Sequence, residues 1–185
     1  LKNFRDFFSS YYFLRILGNT LRLNIADLLF AWPSSIVFAL LLNEVGHSAT
    51  KRSIQTLTYL PHFISLVVVC GLIADFSAVD GVLNDLRAFF GGERIALLSR
   101  RNLFTPIYVI SNIWQGMGYG SIIYLAAIGG INSELYEAAM LDGAGRLRQT
   151  WHVTLPGLQP TIITLLILRI GSLLNVSFEK ILLLM

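Results

Sequence analysis

Charge is what this sequence has least of. Only 14% of its 185 residues are Asp, Glu, Lys or Arg, against roughly 25% in ordinary soluble domains, while 55% are hydrophobic and the mean hydropathy is +0.65. That balance disfavours a water-soluble globular domain and excludes a disordered chain, which needs low hydrophobicity and high charge. The 15 glycines follow no three-residue period, so collagen is excluded too. Cys70 is the single cysteine and lies in an apolar run, which leaves no disulfide framework and no Cys-based metal site. The net charge of +3 is scattered between apolar runs, with no basic stripe to track phosphates, so nucleic acid is not an expected partner. Catalytic patterns are missing as well: there is no GxxxxGK[ST] nucleotide loop, no HExxH and no GxSxG, and His47, His62 and His152 fall in three separate segments. What remains is a membrane protein.

Four stretches are long enough to span a bilayer, about 23–43, 54–74, 105–128 and 160–176. Runs such as 66–70 and 162–167 are apolar on every side, which a period-two barrel strand is not, so each span is expected to be helical and the fold all-α, a polytopic membrane helix bundle. Polar residues interrupt these spans: Asp27 in the first; Asn112, Trp114, Gln115 and Tyr119 in the third; Arg169 and Asn175 in the fourth. Such groups cost too much against lipid to be placed there casually, which makes them candidates for a translocation path; interfacial snorkelling is the alternative for Asp27 and Arg169. Pro33 and Pro61 are expected to kink their helices, and the Gly116/Gly120 GxxxG spacing is expected to admit a close helix neighbour. The chain opens on LKNFRDFF and stops at ILLLM, just after an apolar run restarts at Ile181, and is expected to be a fragment of one transmembrane domain, 1–185, cut at both ends.

The most specific stretch is the loop 132–156. Asn132 or Ser133 can cap a short helix with Glu134 and Glu137 in its first turn, Gly143 and Gly145 permit a turn around Ala144, and a second helical piece is expected to end before Pro156. Ala138, Ala139, Gly143 and Ala144 carry almost no side chain, so a partner's backbone can come close while Glu137 and Asp142 offer charged anchors.

This loop resembles the EAA signature of the permease subunits of bacterial binding-protein-dependent ABC importers: Glu137-Ala138-Ala139, three residues, Gly143, nine residues, Val153, one residue, Leu155-Pro156. Val153 stands where isoleucine is more usual. The runs NTLRLNIADLLFAWPSSIVFALLLNEV, LTYLPHFIS and LILRIGSLLNVSFEKILLLM look like the polysaccharide and complex-oligosaccharide branch, whose complete subunits usually have six spans; this chain resembles the middle four. The resemblance implies a multi-pass subunit of the bacterial cell membrane, coupled through 132–156 to a separate ATPase dimer that binds the ATP and Mg, so that no cofactor belongs to this chain. It implies further partners: a second related permease, as a heterodimer or a homodimer, an extracytoplasmic solute-binding protein docking on the 75–104 loop, and membrane lipid. The implied ATPase-coupling residues are Glu134, Glu137, Ala138, Ala139, Asp142, Gly143, Ala144, Val153, Leu155 and Pro156.

One count runs the other way. With loop 132–156 cytoplasmic, Lys51, Arg52, Arg146 and Arg148 lie inside, while Lys2, Arg5, Arg15, Arg87, Arg94, Arg100 and Arg101 lie outside, the reverse of the positive-inside pattern. Two other readings stay open on the residues alone: an ATP-independent channel or structural membrane protein, which leaves the EAA loop unexplained, and an intramembrane enzyme, which has no catalytic set.

Overall fold

The computed structural model describes residues 8, 10–173 and 178–184, the side chains of Arg101 and Phe178 excepted. Every regular element among them is helical. Helix α1 (Phe13–Ala26) passes through a π turn (Asp27–Ala31) into α2 (Trp32–Glu44). Helix α3 (Ser48–Tyr59) ends in a 3₁₀ turn (Leu60–Phe63), followed by α4 (Leu66–Ser77) and α5 (Val82–Phe89). The 29-residue α6 (Arg101–Gly129) leads to α7 (Ser133–Leu141), α8 (Arg146–Gln149), a second π turn (Thr150–Thr154), α9 (Leu155–Gly171) and α10 (Phe178–Leu184).

Three helical segments are long and apolar enough to cross a membrane: Phe13–Glu44, Leu66–Phe89 and Arg146–Gly171. Two expected spans are thereby redrawn. The span expected at 54–74 is broken, because Pro61 brings no N–H to the helix and Ser65 restarts it, its Oγ accepting from the Val68 amide at 3.4 Å. The span expected at 160–176 begins earlier, because the helical piece expected to end before Pro156 instead runs on through Pro156 and Pro160, and its helix ends at Gly171. The reason is the π turn: the Leu155 amide reaches back five residues to the Thr150 carbonyl, and the widened turn takes up the distortion that a proline ring causes at the preceding turn. Pro33 follows a π turn in the same way, with the Ser34 hydroxyl donating to the Ala31 carbonyl at 2.6 Å. Helix α6 has the length for the span expected at 105–128, but Asn112, Gln115, its tyrosines and its glycines keep it less apolar than the other three.

The chain forms two compact units, one of Leu1–Phe30, Ile64–Ser111 and Ser172–Met185, the other of Ala31–Phe63 and Asn112–Gly171. In the second unit α2, α6 and α9 meet at Ile36, Ala39, Tyr124, Ile128 and Leu158. Lipid tails are as apolar as leucine, so contacts of this kind hold by close packing and not by escape from water. The packing is tightest at glycines. A side chain on Gly118 would strike the Thr58 carbonyl, and one on Gly120 would meet the Ser35 hydroxyl at 2.6 Å, whereas Gly116 has nothing near it. The close approach expected at Gly116 and Gly120 therefore belongs to Gly118 and Gly120. Gly118→Ala should cost about 1 to 3 kcal/mol, because backbone cannot yield as a side chain can, while Gly116→Ala should be neutral or better; melting of the detergent-solubilised subunit compares them.

The first unit holds a buried charge. Lys180 of α10 is 2% exposed, its ammonium 5.3 Å from the centre of the Tyr108 ring, with Asp27 and Cys70 in electrostatic range. Asp27 is itself buried, and Asn24 one turn before it donates to the Leu173 carbonyl at 2.7 Å.

Candidate functional site

The loop 132–156 forms an elbow whose bend is set by backbone chemistry. Asn132, not Ser133, is the cap of α7: its Oδ1 accepts from the Glu134 amide at 3.0 Å and its Nδ2 donates to the Glu134 carboxylate at 3.1 Å. At the other end Gly143 has φ +75°. The Gly143 amide donates to the Met140 carbonyl at 3.0 Å and the Ala144 amide to the Ala139 carbonyl at 2.8 Å, the paired bonds of a Schellman stop. Nothing lies within 4 Å of the place where a Gly143 side chain would sit, so conformation and not space demands glycine here.

Three ties fix the two arms. The Tyr136 and Thr154 hydroxyls share a hydrogen bond of 3.0 Å, joining α7 to the π turn, and Thr154 is buried. Gln149 Nε2 donates to the Ala144 carbonyl at 2.8 Å. Glu44, the last residue of α2, has one carboxylate oxygen 3.8 Å from Arg146 Nη1 and accepts from the Thr150 hydroxyl at 3.5 Å through the other. A carboxylate is unfavourable at its own helix's C-terminus and favourable beside another's N-terminus, which is where α8 begins. This exposed pair contributes no more than about 1 kcal/mol.

Glu134, Glu137, Ala138, Asp142, Gly143 and Pro156 are exposed, whereas Ala139, Ala144, Val153 and Leu155 are half-buried. The elbow is less bare than its alanines and glycines suggest. Leu141 is 90% exposed, Leu147 87% and Trp151 69%, so large apolar side chains flank the small ones. Their position in the loop between the expected spans at 105–128 and 160–176 was the available signal.

The candidate path residues divide. Asn112, Gln115 and Tyr119 recur at i, i+3 and i+7 and share one face of α6, while Trp114 points to the opposite side. Tyr119 stacks on His62 with ring centres 3.8 Å apart and planes 4° from parallel, and Phe63 meets both rings edge-on. The stack was not legible beforehand, since His62 reads as a packed or interfacial histidine until Pro61 is seen to break the helix beneath it. Among the described residues neither the His62 nitrogens nor the Tyr119 hydroxyl has a hydrogen-bond partner, and both side chains are exposed. Asp27 lies in the first unit, in its π turn; Arg169 is exposed in the last turn of α9; Asn175 lies outside the described residues. No group of three His, Cys, Asp or Glu side chains capable of holding a metal occurs among the described residues.

Residues 23–179 match the sequence model of a family described as binding-protein-dependent transport system inner membrane component. The chain is 50% identical over 179 residues to protein LplB of Bacillus subtilis (strain 168), covering 96% of this chain and 56% of that protein. It is 47% identical over 186 residues to the polygalacturonan/rhamnogalacturonan transport system permease protein YteP of the same organism, covering 100% of this chain and 58% of the relative. Among solved structures it resembles a chain of a bacterial ABC transporter involved in the import of the acidic polysaccharide alginate, with a TM-score of 0.94 and 44% identity over 100% of this chain and 65% of that one. A bacterial alginate ABC transporter in complex with an alginate pentasaccharide-bound periplasmic protein gives a TM-score of 0.93 at 45% identity, over 98% of this chain and 63% of that one. The chain thus spans little more than half the length of the curated relatives named here.

Proposed function

We propose that this chain, which belongs to the family of binding-protein-dependent transport system inner membrane components, is part of a permease subunit of an ATP-driven importer of sugars, in the form of oligosaccharides or polysaccharide fragments. The observation that carries this reading is the elbow: the EAA spacing coincides with a capped helix, a left-handed Gly143 and a second arm continuous with a membrane-length helix. A partner seated on the elbow can therefore move a span without an intervening joint.

That partner is an ATPase dimer holding ATP and Mg, with Glu137 and Asp142 as polar contacts, Ala138, Ala139 and Ala144 as the close-approach surface, and Glu134, Gly143, Val153, Leu155 and Pro156 setting the shape. A second related permease completes the path, as a heterodimer or homodimer, and an extracytoplasmic solute-binding protein delivers cargo to the 75–104 side. Asn112, Gln115 and Tyr119, with His62, supply this subunit's polar stripe along the path; aromatic faces suit the C–H faces of sugar rings. The names of YteP and of the two alginate transporters support a saccharide cargo.

Reconstitution of the full-length subunit with its ATPase, second permease and binding protein into vesicles tests the reading. Uptake of radiolabelled oligosaccharide should require ATP on the elbow's side of the membrane. Equal flux without ATP would establish the channel reading instead.

A further inference from the structure

Helix α5 is inside out. Val82, Leu83, Leu86, Phe89 and the following Phe90 fall on one arc of the helix, and Asn84 stands opposite. In a water-soluble domain the apolar arc turns inward. Here Asn84 is the fully buried residue: its Nδ2 donates to the Ala78 carbonyl at 2.7 Å and the Ile95 carbonyl at 2.8 Å, and its Oδ1 accepts from the Ile95 amide at 3.1 Å. The three bonds pin the polar side of α5 to its own loop and hold the apolar arc outward, with Phe89 84% and Phe90 78% exposed. Arg94 reinforces the arrangement by pairing with Asp85 at 2.6 Å.

The surroundings indicate what covers that arc. Only the short turn at Ala78–Gly81 separates α5 from α4, and Gly81 packs so closely on the Asp75 and Phe76 carbonyls that no side chain fits. The exposed apolar stripe of α4, at Val68, Leu72 and Phe76, continues through Val79 into Val82, Leu86 and Phe89 within the same unit. An 18-residue stretch within Leu66–Phe89 is apolar enough to cross a membrane, and Arg87 and Arg100 stand at and beyond the end of that segment.

We propose that α5 is an interfacial helix, its apolar arc buried at the boundary between headgroups and acyl chains, with basic residues toward anionic headgroups. Lipid, and not the binding protein, is the occupant of this surface, and the binding protein is left the polar side of the 75–104 loop.

The test places single cysteines, Leu86→Cys, Phe89→Cys and, as a control in the exposed loop that follows the helix, Glu93→Cys, in the full-length subunit, with the unsubstituted protein correcting for buried Cys70. Each is labelled with an environment-sensitive fluorophore in vesicles of phosphatidylethanolamine and phosphatidylglycerol, with and without a lipid bearing a nitroxide high on its acyl chain. The nitroxide should quench labels at 86 and 89 at least about twofold more than at 93, and aqueous iodide should give the reverse order. Iodide quenching that is equal at all three sites, or shielding of 86 and 89 from both quenchers, overturns the proposal, the latter pointing to a protein cover. These positions lie on an exposed face, and equal melting of the unlabelled variants verifies the fold. Because the readout needs neither ATPase nor sugar, it stands or falls apart from the importer reading.

Discussion

Lys180→Met in the full-length subunit is expected to lower the free energy of unfolding by about 3 to 5 kcal/mol, the range found when one member of a buried charged pair is removed. The substitution keeps the length of the side chain, so lost volume is not the cause. It removes the ammonium that faces the Tyr108 ring and lies in electrostatic range of the buried Asp27. Asp27→Asn should cost less in the Lys180→Met background than in the parent, since the attraction between the two groups is lost only once. Thermal or denaturant unfolding in detergent compares the single and double variants. A double variant whose loss equals the sum of the two single losses would mean that the two groups do not sense each other.

The second large effect concerns Gly143. Its φ of +75° is a conformation that costs an L residue about 1 to 2 kcal/mol, and more for a β-branched one. With Gly143→Val the elbow can relieve that strain only by giving up the two bonds that end α7, so the second arm leaves α7 at another angle. Uptake by the assembled transporter is expected to fall at least tenfold, while the subunit still inserts and ATP is still hydrolysed. Gly143→Asn should fall between valine and the parent, since asparagine accepts left-handed backbone better than other side chains. Normal uptake by the valine variant would refute the coupling role of the bend.

The elbow and the helical class were legible because they rest on local chemistry. Asn132, Glu134 and Gly143 announce a cap and a stop within a few residues, and a long apolar run must be helical in lipid. What escaped notice depends on distant partners or on small departures from the ordinary helix. Nothing local shows that Gly118 meets the Thr58 carbonyl while Gly116 meets nothing, nor that Glu44 reaches residues more than a hundred positions away. Pro156 reads as a terminator, and only the widened turn before it lets the helix pass. Asn84, beside Asp85 and one turn from Arg87, reads as part of a solvated polar face and gives no local hint that it is the buried residue of its helix.

Each π turn ends two residues before a proline, at Ala31 before Pro33 and at Thr154 before Pro156. One extra residue in a turn rotates everything downstream by about 100° about the helix axis. The stripe that α9 buries through Leu158 is thus offset by about 100° from where a regular helix would place it relative to Arg146 and Leu147 at the elbow. A single wheel drawn from Arg146 to Gly171 would misplace one set or the other. The rod is continuous along its length, yet its two ends face directions offset by that one turn.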